Sequence, residues 1–390
     1  MAVQTTDFYG LEELLDGEER EILHRVREFM AREVAPVITD HWVRATFPFE
    51  VVPGLAALGT AGLASDGPGG GRRRHLLDGM VAMEMARVDP SIATFHGVHS
   101  GLAMGSIRLC GSPEQQERWL PAMARWEKIG AFGLTEPEAG SGAAGGLTTT
   151  ATRDGDEWVL DGEKKWIGNA TFADLTVIWA RDSDTDEVLG FVVEKGAPGF
   201  TTEAIGDKIA LRVVQNAHIT LDGVRVPETD RLQGARSFDD TGRVLRETRA
   251  GVAWMAVGCA LGAYEHALAY AKEREQFGQK IAGFQLIQDL LVQMLGNTTA
   301  SAALCVQLSR LQDAGVETDA QASLAKAFCT VRMRETVGFA RELLGGNGIL
   351  LDHQVGRFVA DAEAIYSYEG TREINTLIVG REITGVGAFV

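Results

Sequence analysis

A chain of 390 residues, 45% of them hydrophobic, is long enough for two or three modules around a large buried core, and its composition is not that of a disordered protein. Its formal net charge of −17 repels a phosphate backbone, so no nucleic-acid partner is expected, and no uninterrupted apolar run reaches membrane length. Asp7, Glu12 and Glu13 stand where a secretory signal needs a basic start, and the closing Ala388-Phe389-Val390 is not a Ser-Lys-Leu type peroxisomal signal, so the expected location is cytoplasmic.

The first third reads as helix throughout. Asp16 with Glu19 forms a capping pattern ahead of the apolar stripe Ile22, Val26, Phe29, Met30 and Val34, which predicts a helix that stops at Pro36. Further helical stretches are predicted around Val51 to Leu63, Leu76 to Val88 and Ser91 to Leu109, and Ser112-Pro113-Glu114-Gln115 opens another with a cap and a proline in its first turn. Between them, Arg72-Arg73-Arg74 after Gly69-Gly70-Gly71 reads as a solvated loop or, alternatively, as a clamp on a ligand's phosphate. Met80, Met83 and Met85 read as core filler. His96 and His99, three apart on a predicted helix, have no third ligand of suitable spacing, so no metal site is expected.

From about Ile129 the texture changes to short runs rich in β-branched and aromatic residues, punctuated by Asp154-Gly155, Asp161-Gly162 and Asp222-Gly223. Strands are predicted at Leu147 to Thr152, Glu157 to Leu160, Leu175 to Ala180, Gly190 to Val193 and Ala217 to Leu221, forming an antiparallel sheet or barrel. Helical periods return after about Phe238, at Val244 to Glu273, Gln285 to Ala314, Asp319 to Leu344, Arg357 to Ile365 and Arg372 to Thr384, and argue a helical bundle. The expected fold class is therefore α+β and multidomain: a helical domain over 1–128, a β domain over 129–236 and a C-terminal four-helix bundle over 237–390. A doubly wound dinucleotide fold would not give that order. The four cysteines, Cys110, Cys259, Cys305 and Cys329, sit far apart in apolar helical surroundings without CxxC spacing and read as reduced core residues.

One stretch stands out as chemistry. Tyr366-Ser367-Tyr368-Glu369-Gly370-Thr371 places a carboxylate between two aromatics and a glycine, directly ahead of Ile374, Leu377, Ile378 and Ile383 at a near-helical period. Local sequence leaves two readings open. Glu369 is either a surface acid favoured by a helix dipole, or a general base whose pKa is raised by its tyrosine walls, with Gly370 permitting close approach of a ligand. Gly345-Gly346-Asn347-Gly348 follows a helix rather than a strand and reads as a C-cap instead of a dinucleotide fingerprint. Trp166, taken alone, reads as core. No G-x-S-x-G elbow and no Walker A loop is present, so hydrolase and nucleotide-triphosphatase readings lose their anchor.

The YSYEGT stretch, together with "KKWIGNATFADL", "KIALRVVQN", "LVQMLGN" and "RELLGGNGIL" in that order, resembles the acyl-CoA dehydrogenase and acyl-CoA oxidase superfamily over nearly the whole chain. Within it, these segments are most similar to the plant peroxisomal short-chain acyl-CoA oxidase, with glutaryl-CoA dehydrogenase next. The resemblance implies FAD-dependent α,β-desaturation of a short-chain or branched acyl-CoA: Glu369 takes the α-proton while hydride leaves the β-carbon for flavin N5. It implies FAD contacts from Phe132, Leu134, Thr135 and Ser141, from the strand Trp166-Ile167-Gly168 against the ring, and from Thr371 and Glu373. Arg274, Phe277, Gln285, Leu344, Gly345 and Gly346 fall at further FAD positions, several of which reach the cofactor of a neighbouring subunit, so a homo-oligomer, a dimer of dimers, is implied. Ser141, Arg249, Tyr368 and Gly370 fall at substrate positions.

Departures from the pattern matter equally. Where glutaryl-CoA dehydrogenase has an arginine for the distal carboxylate, this chain has Ala93. Where some relatives carry the base on another helix, it has Thr248, beside Glu247. Gly168 replaces a threonine whose hydroxyl bonds flavin N5 in many dehydrogenases, which would leave room beside the ring. Two enzyme readings therefore stand: a dehydrogenase passing electrons to an electron-transfer flavoprotein, favoured by the lack of a peroxisomal address, or an oxidase reducing dioxygen to hydrogen peroxide. A third reading, from another class, is a catalytically idle flavin-fold binding protein.

Overall fold

The computed structural model of the chain describes residues 7–64 and 74–388. Asp16 caps α1 (Gly17–Phe29): its carboxylate accepts from the Glu19 N–H at 2.9 Å, and the Glu19 carboxylate accepts from the Asp16 N–H at 3.0 Å. The helical path does not stop at Pro36. A π-helical turn at Met30–Val34 leads into α2 (Ala35–Arg44), so the proline falls in a first turn, where a missing N–H costs least. α3 (Val52–Leu58) ends at Gly59, earlier than the apolar pattern suggests. α4 (His75–Val88) follows, then α5 (Pro90–His96), a π-helical segment at Gly97–Ala103 and α6 (Met104–Cys110) in one run. The Ser112/Gln115 box opens α7 (Pro113–Ala124) as expected. Arg72 and Arg73 lie outside the described residues; Arg74 pairs with Glu18 at 3.1 Å on the surface.

The middle domain holds β1 (Gly130–Gly133), a short α8 (Ala143–Gly146), β2 (Thr150–Asp154), β3 (Glu157–Gly168), β4 (Leu175–Asp182), β5 (Val188–Glu194), β6 (Phe200–Ala204) and β7 (Asn216–Pro227). Among the described residues these form a seven-stranded sheet in the order β1-β4-β2-β3-β7-β6, with β5 beside β4. Most pairings are antiparallel, but β4 runs parallel to both β1 and β2, so the sheet is mixed. Residue alternation reports which face is buried and says nothing of direction. The parallel pairs arise because other elements separate β1 and β2 from β4 in the chain, which removes the hairpin requirement.

In the C-terminal part, α9 (Phe238–Glu273), α10 (Gln285–Asp313), α11 (Asp319–Leu343) and α12 (Val355–Ser367) pack as a bundle, and α13 (Arg372–Thr384) lies on α11. α4 crosses α9 at backbone distance: a Cβ on Gly258 would lie 2.2 Å from the Met83 carbonyl oxygen, and one on Gly262 2.2 Å from that of Arg87. The three domains meet at a buried polar knot. Arg357 donates to Asp89, the N-cap of α5, at 2.5 Å, while Asp361 one turn on accepts from the Trp42 indole (3.0 Å) and the Leu211 N–H (2.7 Å). All four cysteines are buried and unbridged. No helix among the described residues is long and apolar enough to cross a membrane.

Candidate active site

Glu369 lies in the tight connection between α12 and α13, three residues before the first helical residue of α13. Thr371 caps that helix, its hydroxyl accepting from the Ile374 N–H at 3.3 Å. Glu369 itself has φ 55 and Gly370 φ 78. Two consecutive left-handed residues reverse the chain in minimal space, and for a glutamate that conformation is strained and must be held from outside. Gly370 serves this turn as well as any ligand: a Cβ there would stand 3.2 Å from Asn375 Nδ2.

The holding groups come from two helices. Lys326 of α11, fully buried, donates from Nζ to the carbonyls of Tyr366 (2.7 Å) and Gly370 (2.8 Å). Asn375 of α13, equally buried, donates from Nδ2 to the carbonyls of Gly370 (2.9 Å) and Thr371 (3.0 Å). On the other side, the Tyr368 hydroxyl lies 3.3 Å from Thr94 Oγ1 and donates to Met255 Sδ at 3.4 Å. Glu369 Oε2 is buried without a hydrogen-bond partner. Burial pushes this carboxyl up to about 7, against the opposing pull of Arg249, the Thr248 hydroxyl and Lys326. A carboxylate so placed has a free lone pair and a proton affinity matched to neutral pH, the two requirements of a general base.

Glu369 lines a cavity of about 1030 Å³. Its floor is the middle domain, where the β3–β7 register shifts between Lys164 and Ile167. With φ 68 at Trp166, this bulge turns the indole out of the sheet, and the residue is 52% exposed on the cavity wall, not in the core where its type usually sits. Beneath it a buried ion pair fixes the segment from Leu134 to Glu136. Lys164 Nζ lies 2.8 Å from Glu136 and donates to the Leu134 carbonyl at 3.2 Å, while Glu136 also accepts from the N–H groups of Thr148 and Thr149. Burial alone would raise Glu136, but the Lys164 ammonium and these donors outweigh it and hold the carboxylate at about 2. An exposed aromatic plate beside Phe132, Leu134 and Ile167 suits a planar heteroaromatic group, so the cavity fits a flavin ring. The space beside Gly168 is narrow, since a Cβ there would already lie 3.2 Å from Val98 Cγ2.

The cavity gathers Phe132, Leu134, Thr135, Ser141, Trp166, Ile167, Gly168, Arg249, Tyr368, Gly370 and Thr371 around Glu369. It does not gather Arg274, Phe277, Gln285, Leu344, Gly345, Gly346 or Glu373. Arg274, Phe277 and Gln285 project from the β8–β9 hairpin (Glu275–Gln276, Gln279–Lys280) and the start of α10, with Phe277 94% exposed, and Leu344 belongs to the helical core. Glu373 is exposed and pairs with Arg372. His99 is occupied structurally: Nε2–H donates to the Met123 carbonyl and Nδ1 accepts from the Gly130 N–H. His96 sits 3.1 Å from Thr60 Oγ1, and burial keeps both imidazoles far below their usual range and neutral. Among the described residues no cluster suited to a metal ion is present. Lys326 and Asn375 escaped the sequence reading. The available signal was a lysine interrupting the apolar stripe Ala322, Ala325, Cys329 and Met333 of α11.

Comparison with known proteins bears directly on this arrangement. The model of the acyl-CoA dehydrogenase N-terminal domain matches residues 16–127, that of the middle domain residues 131–224 and that of the C-terminal domain residues 238–384. An acyl-CoA dehydrogenase of Bacillus subtilis (strain 168) is 32% identical over 365 residues, covering 92% of this chain and 96% of that protein. A glutaryl-CoA dehydrogenase from Mycobacterium smegmatis is 40% identical with a TM-score of 0.94, and a glutaryl-CoA dehydrogenase from the same organism in complex with FADH2 is 34% identical with a TM-score of 0.95; each covers 99% of both chains. These relatives are dehydrogenases rather than oxidases. Three domain models in order, full-length relatives and a cavity closed by a desolvated glutamate agree: the chain belongs to the acyl-CoA dehydrogenase family.

Proposed function

We propose that the protein desaturates the α,β bond of a short-chain or branched acyl-CoA, using FAD, with Glu369 as the base that removes the α-proton. The observation that carries this reading is Glu369 Oε2, buried, unpartnered and at the wall of a cavity large enough for a thioester over a ring system. FAD, when bound, supplies the acceptor for the hydride that leaves the β-carbon. Phe132, Leu134, Thr135, Ser141, Trp166, Ile167, Gly168 and Thr371 would hold the ring and its ribityl chain, and Ser141, Arg249, Tyr368 and Gly370 would border the thioester.

The α-proton of a thioester is a weak acid, so removing it requires stabilisation of the enolate oxygen. The Glu369 N–H has no acceptor among the described residues and is free to donate there. Tyr368 and Met255 exclude water on the same side, which strengthens that contact. Ala93 lines the cavity and offers no charge to a distal carboxylate, so dicarboxylyl thioesters are poor substrates. The exposed Arg274, Phe277 and Gln285 would complete the cofactor site of a second copy, in a dimer of dimers.

Electrons then pass to an electron-transfer flavoprotein. The second reading has dioxygen as acceptor; the narrow space beside Gly168, where a Cβ would lie 3.2 Å from Val98 Cγ2, weighs against it. One experiment addresses both readings. Anaerobic mixing of the FAD-loaded protein with butyryl-, isobutyryl-, isovaleryl- and glutaryl-CoA should bleach the flavin with one or more of the first three, with formation of the enoyl-CoA. Glutaryl-CoA should react roughly 100-fold more slowly. Bleaching by none of the monocarboxylyl thioesters contradicts the proposal, and peroxide stoichiometric with product on admission of air replaces the dehydrogenase by the oxidase.

A further inference from the structure

We infer that Lys326 is a positioning residue for the reaction: its ammonium holds the catalytic turn in its strained shape and keeps Glu369 in the ionised, proton-accepting state. The inference rests on Glu369 being the base. The turn from Tyr366 to Thr371 contains two consecutive left-handed residues, and its carbonyls would otherwise be free to relax. Lys326 crosses beneath it with donors 2.7 Å from Tyr366 O and 2.8 Å from Gly370 O, one on each side of Glu369. A neutral donor makes the second half of the same clamp, since Asn375 Nδ2 binds the Gly370 and Thr371 carbonyls. Asparagine alone would satisfy carbonyls at less cost, because a fully buried ammonium must give up its hydration. A lysine at this position is therefore explained by its charge.

Burial pulls the Lys326 ammonium down to about 8, while Glu369 and Glu373 act to keep the proton on it. Arg249 from α9, which also faces Asp319 at 3.5 Å, and Lys326 from α11 are the charged groups that act on Glu369, and Glu373 from α13 acts on Lys326; Tyr368, beside Glu369 in the turn, is protonated, its phenol raised by burial. Arg249 borders the substrate in the proposed function, whereas Lys326 lies behind the turn and outside the cavity lining. Lys326 therefore acts through Glu369 and not on the thioester.

Four proteins separate the two parts of the inference: the wild type, Lys326→Gln, Lys326→Met and Asn375→Ser, each loaded with FAD and followed by the rate of anaerobic flavin bleaching by a short acyl-CoA against pH. Lys326→Gln keeps a donor for the carbonyls and loses the charge. Its rate-against-pH midpoint should move up by about one unit, with the rate near pH 7 falling roughly fivefold and the substrate concentration for half-saturation little changed. Lys326→Met should show the same displacement and a lower plateau. Asn375→Ser should lower the plateau and leave the midpoint in place. A lysine that is merely structural would lower rates without moving the midpoint, so superposable midpoints for wild type and Lys326→Gln overturn the inference. If neither lysine variant folds, a wild-type plateau in Asn375→Ser overturns the clamp. Failure of the proposed function looks different, because then the wild type does not bleach, or Glu369→Gln bleaches as fast as the wild type.

Discussion

At the scale of single residues, the account turns on a carboxyl whose pKa is raised by its surroundings, and this has a consequence for stability. The folded-state pKa of Glu369, about 7, lies above the ordinary value of 4.5. Such a group favours the fold while protonated. Its contribution is complete below about pH 4.5 and is lost as the pH rises through 7. Glutamine at this position cannot ionise, so Glu369→Gln should melt close to the wild type near pH 4.5 and progressively above it as the pH rises to about 7, the difference then levelling off; a constant difference in Tm between about pH 4.5 and 8 contradicts the burial. The sequence showed the candidate itself, through two tyrosines, a glycine and a following helix. The burial of Oε2 was not legible, because the surroundings of the turn come from residues distant in the chain, such as Thr94 and Met255 around the Tyr368 hydroxyl and Lys326 behind it. Lys326 was hidden for a related reason: a lone lysine in a helix reads as solvent-facing until the turn it supports is seen.

At the scale of elements, capping boxes at Asp16 and Ser112 and long apolar periods from Phe238 onward made most helices readable, whereas the interruptions inside them were not. The π-helical segment Gly97–Ala103 keeps α5 and α6 in one run, and the strand bulge at Trp166 re-aims one ring; neither changes residue periodicity enough to be read. The parallel pairing of β4 was likewise invisible to alternation. The α4–α9 crossing makes a prediction of its own. Gly258→Ala puts a methyl 2.2 Å from a backbone oxygen, which cannot swing aside as a side chain can. Chemical denaturation should show a loss of about 1–3 kcal/mol, and an unchanged midpoint with unchanged m-value contradicts the close approach.

At the scale of the molecule, the three domains depend on the knot around Arg357. Removing one partner of a buried pair strands the other, so Arg357→Ala should cost about 3–5 kcal/mol through the uncompensated Asp89. Loss within the exposed-pair range, under about 1 kcal/mol, would show that the junction is not buried in solution. The outward face of the β8–β9 hairpin makes a second prediction. Phe277→Asp should leave helix content unchanged but lower both the oligomer fraction in size-exclusion chromatography and the flavin-to-protein absorbance ratio. Equal values for variant and wild type contradict a cofactor site shared between copies. The most direct test of the whole reading is single-turnover reduction of the flavin by an acyl-CoA carrying deuterium at the α-carbon. The wild type should show a primary isotope effect on bleaching, and Glu369→Gln should retain its yellow FAD spectrum while bleaching at least a thousandfold more slowly, about 4 kcal/mol in the barrier. Bleaching at the wild-type rate in that variant contradicts the assignment of Glu369 as the base.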